Sequence, residues 1–348
     1  MNKLRISGND KIVLITNIAT MLEAGIPTYE AIETLLEDAK GGQKKILEQL
    51  TKDLSAGHHI HTTFAKFPRV FNSISVNLIK ASEEAGNLET TLVDLSKNLQ
   101  KEMEFTDKIK TALTYPIIVM FVFVMVLFTM LVVVIPKISS VFSRLKVELP
   151  LPTKVLIFMS ETLLSYWPYL TAGFVAFIIL MIFLYNQKRE IFLGVLFSLP
   201  MISRLMEEID VTRFSRSMYL LLSSGIPFVY ALELAREVII KRKVERLIHK
   251  ALKETSEGKQ FSQVLKTEKN VFPSVAIKLI EVGEKTGRIE SSMKNIAEKM
   301  DYTVSKSLDK VTALLEPIML IFVGVVVGGM MMAIIAPIYG LIGQVGQR

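Results

Sequence analysis

The chain has no cysteine in its 348 residues, which excludes disulfides, thiolate metal sites and cysteine nucleophiles. It also lacks a Gly-x-x-x-x-Gly-Lys-Ser/Thr phosphate loop, a Gly-x-Ser-x-Gly elbow and a His-Glu-x-x-His pair. No catalytic constellation is legible, so the expectation is a protein that is not an enzyme and carries no cofactor. Without an ATP site of its own, any mechanical work it takes part in must come from a partner. Strand signals are equally scarce: there is no Asn-Gly or Asp-Gly hairpin, and alternation is never sustained. The expected fold class is all-α.

Charge is missing from three long intervals. No charged side chain lies between Lys110 and Lys137, only Glu161 between Lys154 and Lys188, and only Glu316 between Lys310 and Arg348. A helix needs about 20 apolar residues to cross a bilayer core, and each interval holds such a run. Three transmembrane helices are therefore expected, at 113–136, 168–186 and 314–337, with an outer loop at 137–167 and an outer tail at 338–348. Lys97, Lys101, Lys108 and Lys110 precede the first run, Lys188 and Arg189 follow the second, and Lys299, Lys306 and Lys310 precede the third. The excess of positive charge on the inner side puts residues 1–112 and 187–313 in the cytoplasm and the C-terminus outside. The polar opening Met1–Lys11 does not read as a cleaved leader.

What is present most clearly is a repeat. Ala24-Gly25-Ile26-Pro27 returns as Ser224-Gly225-Ile226-Pro227, and Leu54-Ser55-Ala56-Gly57 as Thr255-Ser256-Glu257-Gly258. Glu83-Glu84-Ala85-Gly86-Asn87-Leu88-Glu89 returns as Glu284-Lys285-Thr286-Gly287-Arg288-Ile289-Glu290, and Tyr115-Pro116 as Glu316-Pro317. Glycine and proline hold register across the whole span, which marks a duplication. Apolar residues at three-and-four spacing, such as Ile12, Ile15, Ile18, Ala19 and Leu22, make each copy a helical domain. Gly25 and Gly225 fit helix stops, Pro27 and Pro227 fit the next helix starts, and Gly86 and Gly287 fit a left-handed helix end. The helices after them, roughly 88–112 and 289–313, hold no proline or glycine and run on towards Pro116 and Pro317.

Net charge is +7, with 14 basic and 15 acidic groups in 1–110 against 22 and 16 in 187–312. The inside bias and anionic lipid account for this surplus, so direct nucleic-acid binding is not expected. A transporter is the competing class. It predicts polar groups along a path through the bilayer, which these runs lack. A receptor would need a larger outer domain than 137–167.

The ordered set Tyr115-Pro116, Ile135-Pro136, Phe142, Leu149-Pro150-Leu151-Pro152-Thr153, Leu199-Pro200, Arg204, Arg213-Phe214, Glu284, Gly287, Glu316-Pro317 and Ala336-Pro337 resembles the GspF/PilC family of type II secretion and type IV pilus platform proteins. The repeat begins near residue 9, which resembles competence-type members. The resemblance implies two homologous six-helix-bundle cytoplasmic domains in an inner-membrane homo-oligomer. It also implies that the protein meets a hexameric assembly ATPase, pilins or pseudopilins and other inner-membrane assembly proteins.

Candidate contact residues are few. Glu84 and Glu284 lie at the repeated helix end and read either as solvated acids or as a surface for the ATPase or a sister subunit. Glu316 is an acid at a span end, either at headgroup depth or paired with a basic group of a neighbour. Gly324-x-x-x-Gly328 permits close helix packing in lipid. His58, His59 and His61 match Lys259, Gln260 and Ser262 in the second copy and are expected as surface histidines, with no metal.

Overall fold

The fold comes from a computed structural model that describes residues 4–145, 150–166, 169, 200–268 and 271–345. Among these residues every regular element is a helix, and none is a strand. The first copy runs α1 (Gly8–Glu23), α2 (Thr28–Asp38), α3 (Gly41–Ser55), α4 (Ile60–Ala65), α5 (Ser73–Ala85) and α6 (Leu88–Thr129). A π-helical turn, Met130–Val134, leads into α7 (Ile135–Leu145), and α8 (Leu151–Ser165) follows. The second copy runs α9 (Pro200–Ser223), α10 (Phe228–Arg236), α11 (Arg242–Ser256), α12 (Phe261–Leu265), α13 (Ser274–Thr286) and α14 (Ile289–Val345).

Local chemistry explains the boundaries. Ser7 opens α1 with a capping box: its hydroxyl accepts from Asp10 N at 3.0 Å while Asp10 accepts from Ser7 N. Gly25 then closes α1 at φ 80°, a region costly for residues bearing a Cβ. Gly25 N donates to Leu22 O and Ile26 N to Met21 O, the paired bonds of a glycine stop. The second copy repeats this with Gly225, Leu222, Ile226 and Leu221. Pro27 and Pro227 stand at the N-caps of α2 and α10, where a missing N–H costs nothing. Gly86 and Gly287 end α5 and α13 at φ 72° and 70°.

The chain divides into two compact units, 1–108 with 204–306, and 109–203 with 307–348. The sequence predicts two homologous cytoplasmic helical domains, at 1–112 and 187–313. The helical parts of both copies lie in the first unit, and one buried apolar cluster continues through them, from Ile15, Phe64 and Leu78 to Phe214, Phe261 and Ile280. Helix α5 packs on α10, where Tyr230 donates to Asn77 Oδ1 at 2.8 Å. Two duplicated sets of apolar faces are covered by one shared core.

The second unit holds the apolar parts of α6 and α14, the π-helical turn, α7 and α8. Leu88–Arg144 and Ile289–Pro337 are the two stretches, among the described residues, long and apolar enough to cross a membrane. In their most apolar windows only 6% and 17% of the residues are buried. A soluble core helix of this composition would be covered by protein, so outward-facing apolar side chains on this scale call for lipid. Apart from residue 169, the run at 168–186 lies outside the described residues. The segment 137–167 holds most of α7 and all of α8, and α14 continues past 337 to Val345.

Candidate functional site

The repeated helix end at Glu83 and Glu284 is built around one carboxylate per copy. Glu83, on the last turn of α5, accepts Ile60 N at 2.7 Å and His61 N at 3.1 Å. Glu284, on α13, accepts Phe261 N at 2.6 Å and Ser262 N at 3.1 Å. Both therefore hold the opening amides of a short helix, α4 or α12, whose first N–H groups have no helical partner. A carboxylate here also complements the positive end of that helix. Of the two acids expected to face partners, Glu284 spends its carboxylate inside the fold. Glu84 is exposed, and it matches Lys285 rather than Glu284. The structural pair is thus Glu83 with Glu284, which the repeat already displayed at an offset of 201.

A second cluster, absent from the sequence reading, lies where the two copies meet. Arg216 on α9 is a buried residue, 6% exposed. Its Nη2 donates to Asp301 on α14 at 2.5 and 2.6 Å, and its Nη1 to Glu102 on α6 at 3.0 Å. Arg213 Nε donates to the other oxygen of Glu102 at 2.9 Å. The guanidinium carbons of Arg216 and Arg213 stand 5.2 and 6.0 Å from the Phe105 ring centroid, within reach of a cation–π attraction. Beside Arg216 lies a cavity of about 150 Å³ whose lining includes Lys97, Lys101 and Lys294 but also Asp94 and Glu298. Its mixed charge selects for neither sign of ligand.

Other buried polar groups brace individual helices. Asp53, 6% exposed, accepts from Thr63 and Lys66 at 2.6 Å and Gln49 at 2.9 Å. Burial alone would raise its pKa, but these donors more than offset it and hold the carboxyl below its ordinary value. Asp210 is fully buried. It accepts Ile240 N and Lys241 N ahead of α11 at 3.1 and 2.6 Å, and burial pushes its pKa up to about 6 in spite of those bonds. Lys11, near the Phe71 ring, is pulled down to about 8 by burial; its counterpart in the second copy is the buried Val211.

In the second unit the prolines carry the geometry. Pro337 removes the N–H that would bond Ala333 O, and the buried Thr153 hydroxyl of α8 donates to that carbonyl at 2.5 Å. In the π-helical turn Ile135 N–H bonds Met130 O. The same register would send the next N–H to Leu131 O, but residue 136 is proline. Ser160 of α8 donates to Leu131 O at 2.5 Å. Pro116 likewise frees Ala112 O, and Thr312 Oγ1 lies 3.5 Å away. Two hydroxyls seven residues apart on one face of α8 thus serve carbonyls freed in both copies.

The remaining expected residues stay unpartnered. Glu316 is exposed on α14 and has no hydrogen bond or ion pair among the described residues. A Cβ added at Gly324 or Gly328 would meet nothing within 4 Å, so the small-residue face is open. Pro317 lies inside α14 and Pro116 inside α6 without ending either helix.

Comparison with known proteins identifies the family. The family described as "Type II secretion system (T2SS), protein F" matches residues 14–136 and again 214–337, one match per copy. The chain is 30% identical to the type IV pilus assembly protein PilC of Myxococcus xanthus over 343 residues, covering 98% of this chain and 82% of that protein. It is 30% identical to PilC of Thermus thermophilus over 96% of this chain and 83% of the relative. It is also 29% identical to the type II secretion system protein F of Pseudomonas aeruginosa, over 98% and 85%.

Proposed function

The chain belongs to the type II secretion system protein F family, and from that membership we propose that it is the inner-membrane platform of a filament-assembling machine, a type IV pilus or a secretion pseudopilus. In this reading it couples a cytoplasmic hexameric ATPase to the addition of pilin-like subunits and has no enzymatic activity of its own. The observation that carries it is the doubled F-type repeat, each copy continuing into a long apolar helix whose side chains face outward.

The finer architecture is part of the proposal. Each copy is a six-helix cytoplasmic bundle, three spans including 168–186 cross the bilayer, and the C-terminus lies outside. Exposed Glu84 meets the ATPase or a sister subunit, while Glu284 keeps its capping role and at most lends charge to that surface. Glu316 pairs with a basic group of a neighbouring chain, and the open Gly324–Gly328 face receives a second span within a homo-oligomer. The exposed apolar residues of α8, among them Leu151 and Phe158, face lipid.

The absence of cysteine makes the test clean. Single cysteines introduced at Glu84, Lys285 and Tyr166 report sidedness through a membrane-impermeant maleimide added to intact cells or to inverted vesicles. Labelling of positions 84 and 285 only in inverted vesicles, and of 166 only in intact cells, is expected. Positions 84 and 285 on opposite sides of the membrane would end the platform reading. Function is tested by deleting the gene and complementing it: filaments should disappear and return. Glu84→Lys should weaken co-purification of the ATPase, and unchanged recovery removes that contact.

A further inference from the structure

The three histidines near Gly57 differ in what surrounds them. His61 Nδ1 lies 2.5 Å from Glu83 Oε2, and His59 Nδ1 lies 3.8 Å from Glu83 Oε1. The two imidazoles stack with centroids 5.5 Å apart. One ligand atom from each of His59, His61 and Glu83 falls within 4.8 Å of the others. The carboxylate missing from the local sequence is supplied by the fold, 22 residues after His61.

We propose that His59, His61 and Glu83 form a binding site for a borderline divalent cation, Zn²⁺ being the best match. Two imidazole nitrogens and one carboxylate oxygen are a donor set that zinc accepts readily, with water completing a tetrahedron. Metal–ligand bonds of about 2.0–2.1 Å put neighbouring ligand atoms roughly 3.3 Å apart. His61 Nδ1 and Glu83 Oε2 have to open by under about 1 Å, and the other separations, all within 4.8 Å, to close by at most about 1.5 Å on that tetrahedral scale. The His59 side chain, 68% exposed, is free to make that movement. Glu83 is already fixed, because two backbone amides hold it. A carboxylate offers about four lone-pair positions, so about two remain for His61 or a cation. On binding, the His61 ring proton sits on Nε2 while Nδ1 takes the metal.

The duplication provides an internal control. Glu284 holds the start of α12 through the same pair of amides, with Gln260 and Ser262 in the places of His59 and His61. The corner therefore needs its glutamate and not its imidazoles. The histidines are an addition confined to one copy, and the cation they hold ties α4 to α5 a second time.

The experiment uses the full chain, free of any affinity tag, in detergent micelles, titrated with Zn²⁺ against a chromophoric chelator. One saturable Zn²⁺ per chain is expected. Replacing the ligands by their second-copy counterparts, His59→Gln with His61→Ser, keeps the fold and should weaken binding at least tenfold. His58→Lys should leave it unchanged. Binding should also fall on acidification, since the ligands must be deprotonated. No saturable binding by the wild-type chain would overturn the assignment, as would wild-type affinity in the double variant or loss of binding in His58→Lys.

Discussion

Arg216 and Asp301 meet through one guanidinium nitrogen that reaches both carboxylate oxygens, at 2.5 and 2.6 Å. With Glu102 on its other side, this arginine of α9 ties together the long helices of both copies. A hydrophobic seam alone would tolerate sliding, whereas a charge cluster with fixed hydrogen-bond directions sets one register. Arg216→Met leaves two acids without their shared partner. Each acid side chain is 36% exposed, so water recovers part of the loss and the cost should be about 1–2 kcal/mol. Asp301→Asn should cost less, about 1 kcal/mol or below. Thermal unfolding of the detergent-solubilised chain measures both. Equal melting temperatures for wild type and Arg216→Met would show that the seam does not depend on this pair.

The glutamate brackets predict a symmetrical local effect. Glu83→Gln and Glu284→Gln each replace a charged acceptor by a neutral amide that can serve only one of its two N–H donors well. Each should cost about 1–2 kcal/mol, concentrated at α4 or α12. Hydrogen exchange read by mass spectrometry should show Ile60 and His61 opening faster in the first variant, and Phe261 and Ser262 in the second. Acceleration spread evenly over the first unit would argue against a local bracket.

Why some of this was legible in the sequence and some was not follows from distance along the chain. Glycine stops, proline starts and apolar spacing are decided within a turn or two, so Gly25, Pro27, Gly225 and Pro227 stand where the pattern put them. The Glu83–Glu284 correspondence was also visible, but a carboxylate beside a glycine stop reads as solvated until its amide donors, 22 and 23 residues earlier, are known. Arg216 has Thr16 as its counterpart, so the repeat gave no hint of it. Its partners are 114 and 85 residues away. His59 and His61 read as surface histidines for the same reason, since the carboxylate beside them is remote in sequence. The fold joined both copies in one unit because their apolar faces share a core, and patterning within each copy cannot reveal that.

Asp210 makes stability depend on pH in an unusual sense. Its folded pKa of about 6 lies above its ordinary 3.8, so between these values the folded chain keeps a proton that the unfolded chain releases. Stability from this group is fully present below about pH 4, declines as pH rises to about 6, and is level above that. The decline should be on the order of 2–3 kcal/mol. Asp53 and Glu281, the latter on α13 accepting from Lys266 and Lys285, act oppositely but lower: their donors depress their pKa values, so their contribution is lost only as pH falls below their ordinary range. Lys11, at about 8, stays charged throughout this window. Denaturant midpoints between pH 4.5 and 6.5 should therefore fall with rising pH in the wild type and flatten in Asp210→Asn. A slope that survives in that variant would place the titrating group elsewhere.

The two proline-freed carbonyls make the hydroxyls of α8 testable by coupling rather than by simple loss. Thr153→Val keeps the shape of the side chain and removes the donor to Ala333 O, which Pro337 leaves without an amide partner. In apolar surroundings an unpaired carbonyl costs about 1–3 kcal/mol. Pro337→Ala restores a helical N–H four residues after Ala333, so the same Thr153→Val change should then cost little. The difference between the two backgrounds is the coupling energy, expected at about 1 kcal/mol or more. It can be read from melting temperatures or from protease resistance in nanodiscs. Equal losses in both backgrounds would mean that Thr153 packs against α14 without serving the carbonyl. A matched result with Ser160→Ala and Pro136→Ala would extend the same logic to the π-helical turn, and would show α8 holding the proline sites of both copies from one face.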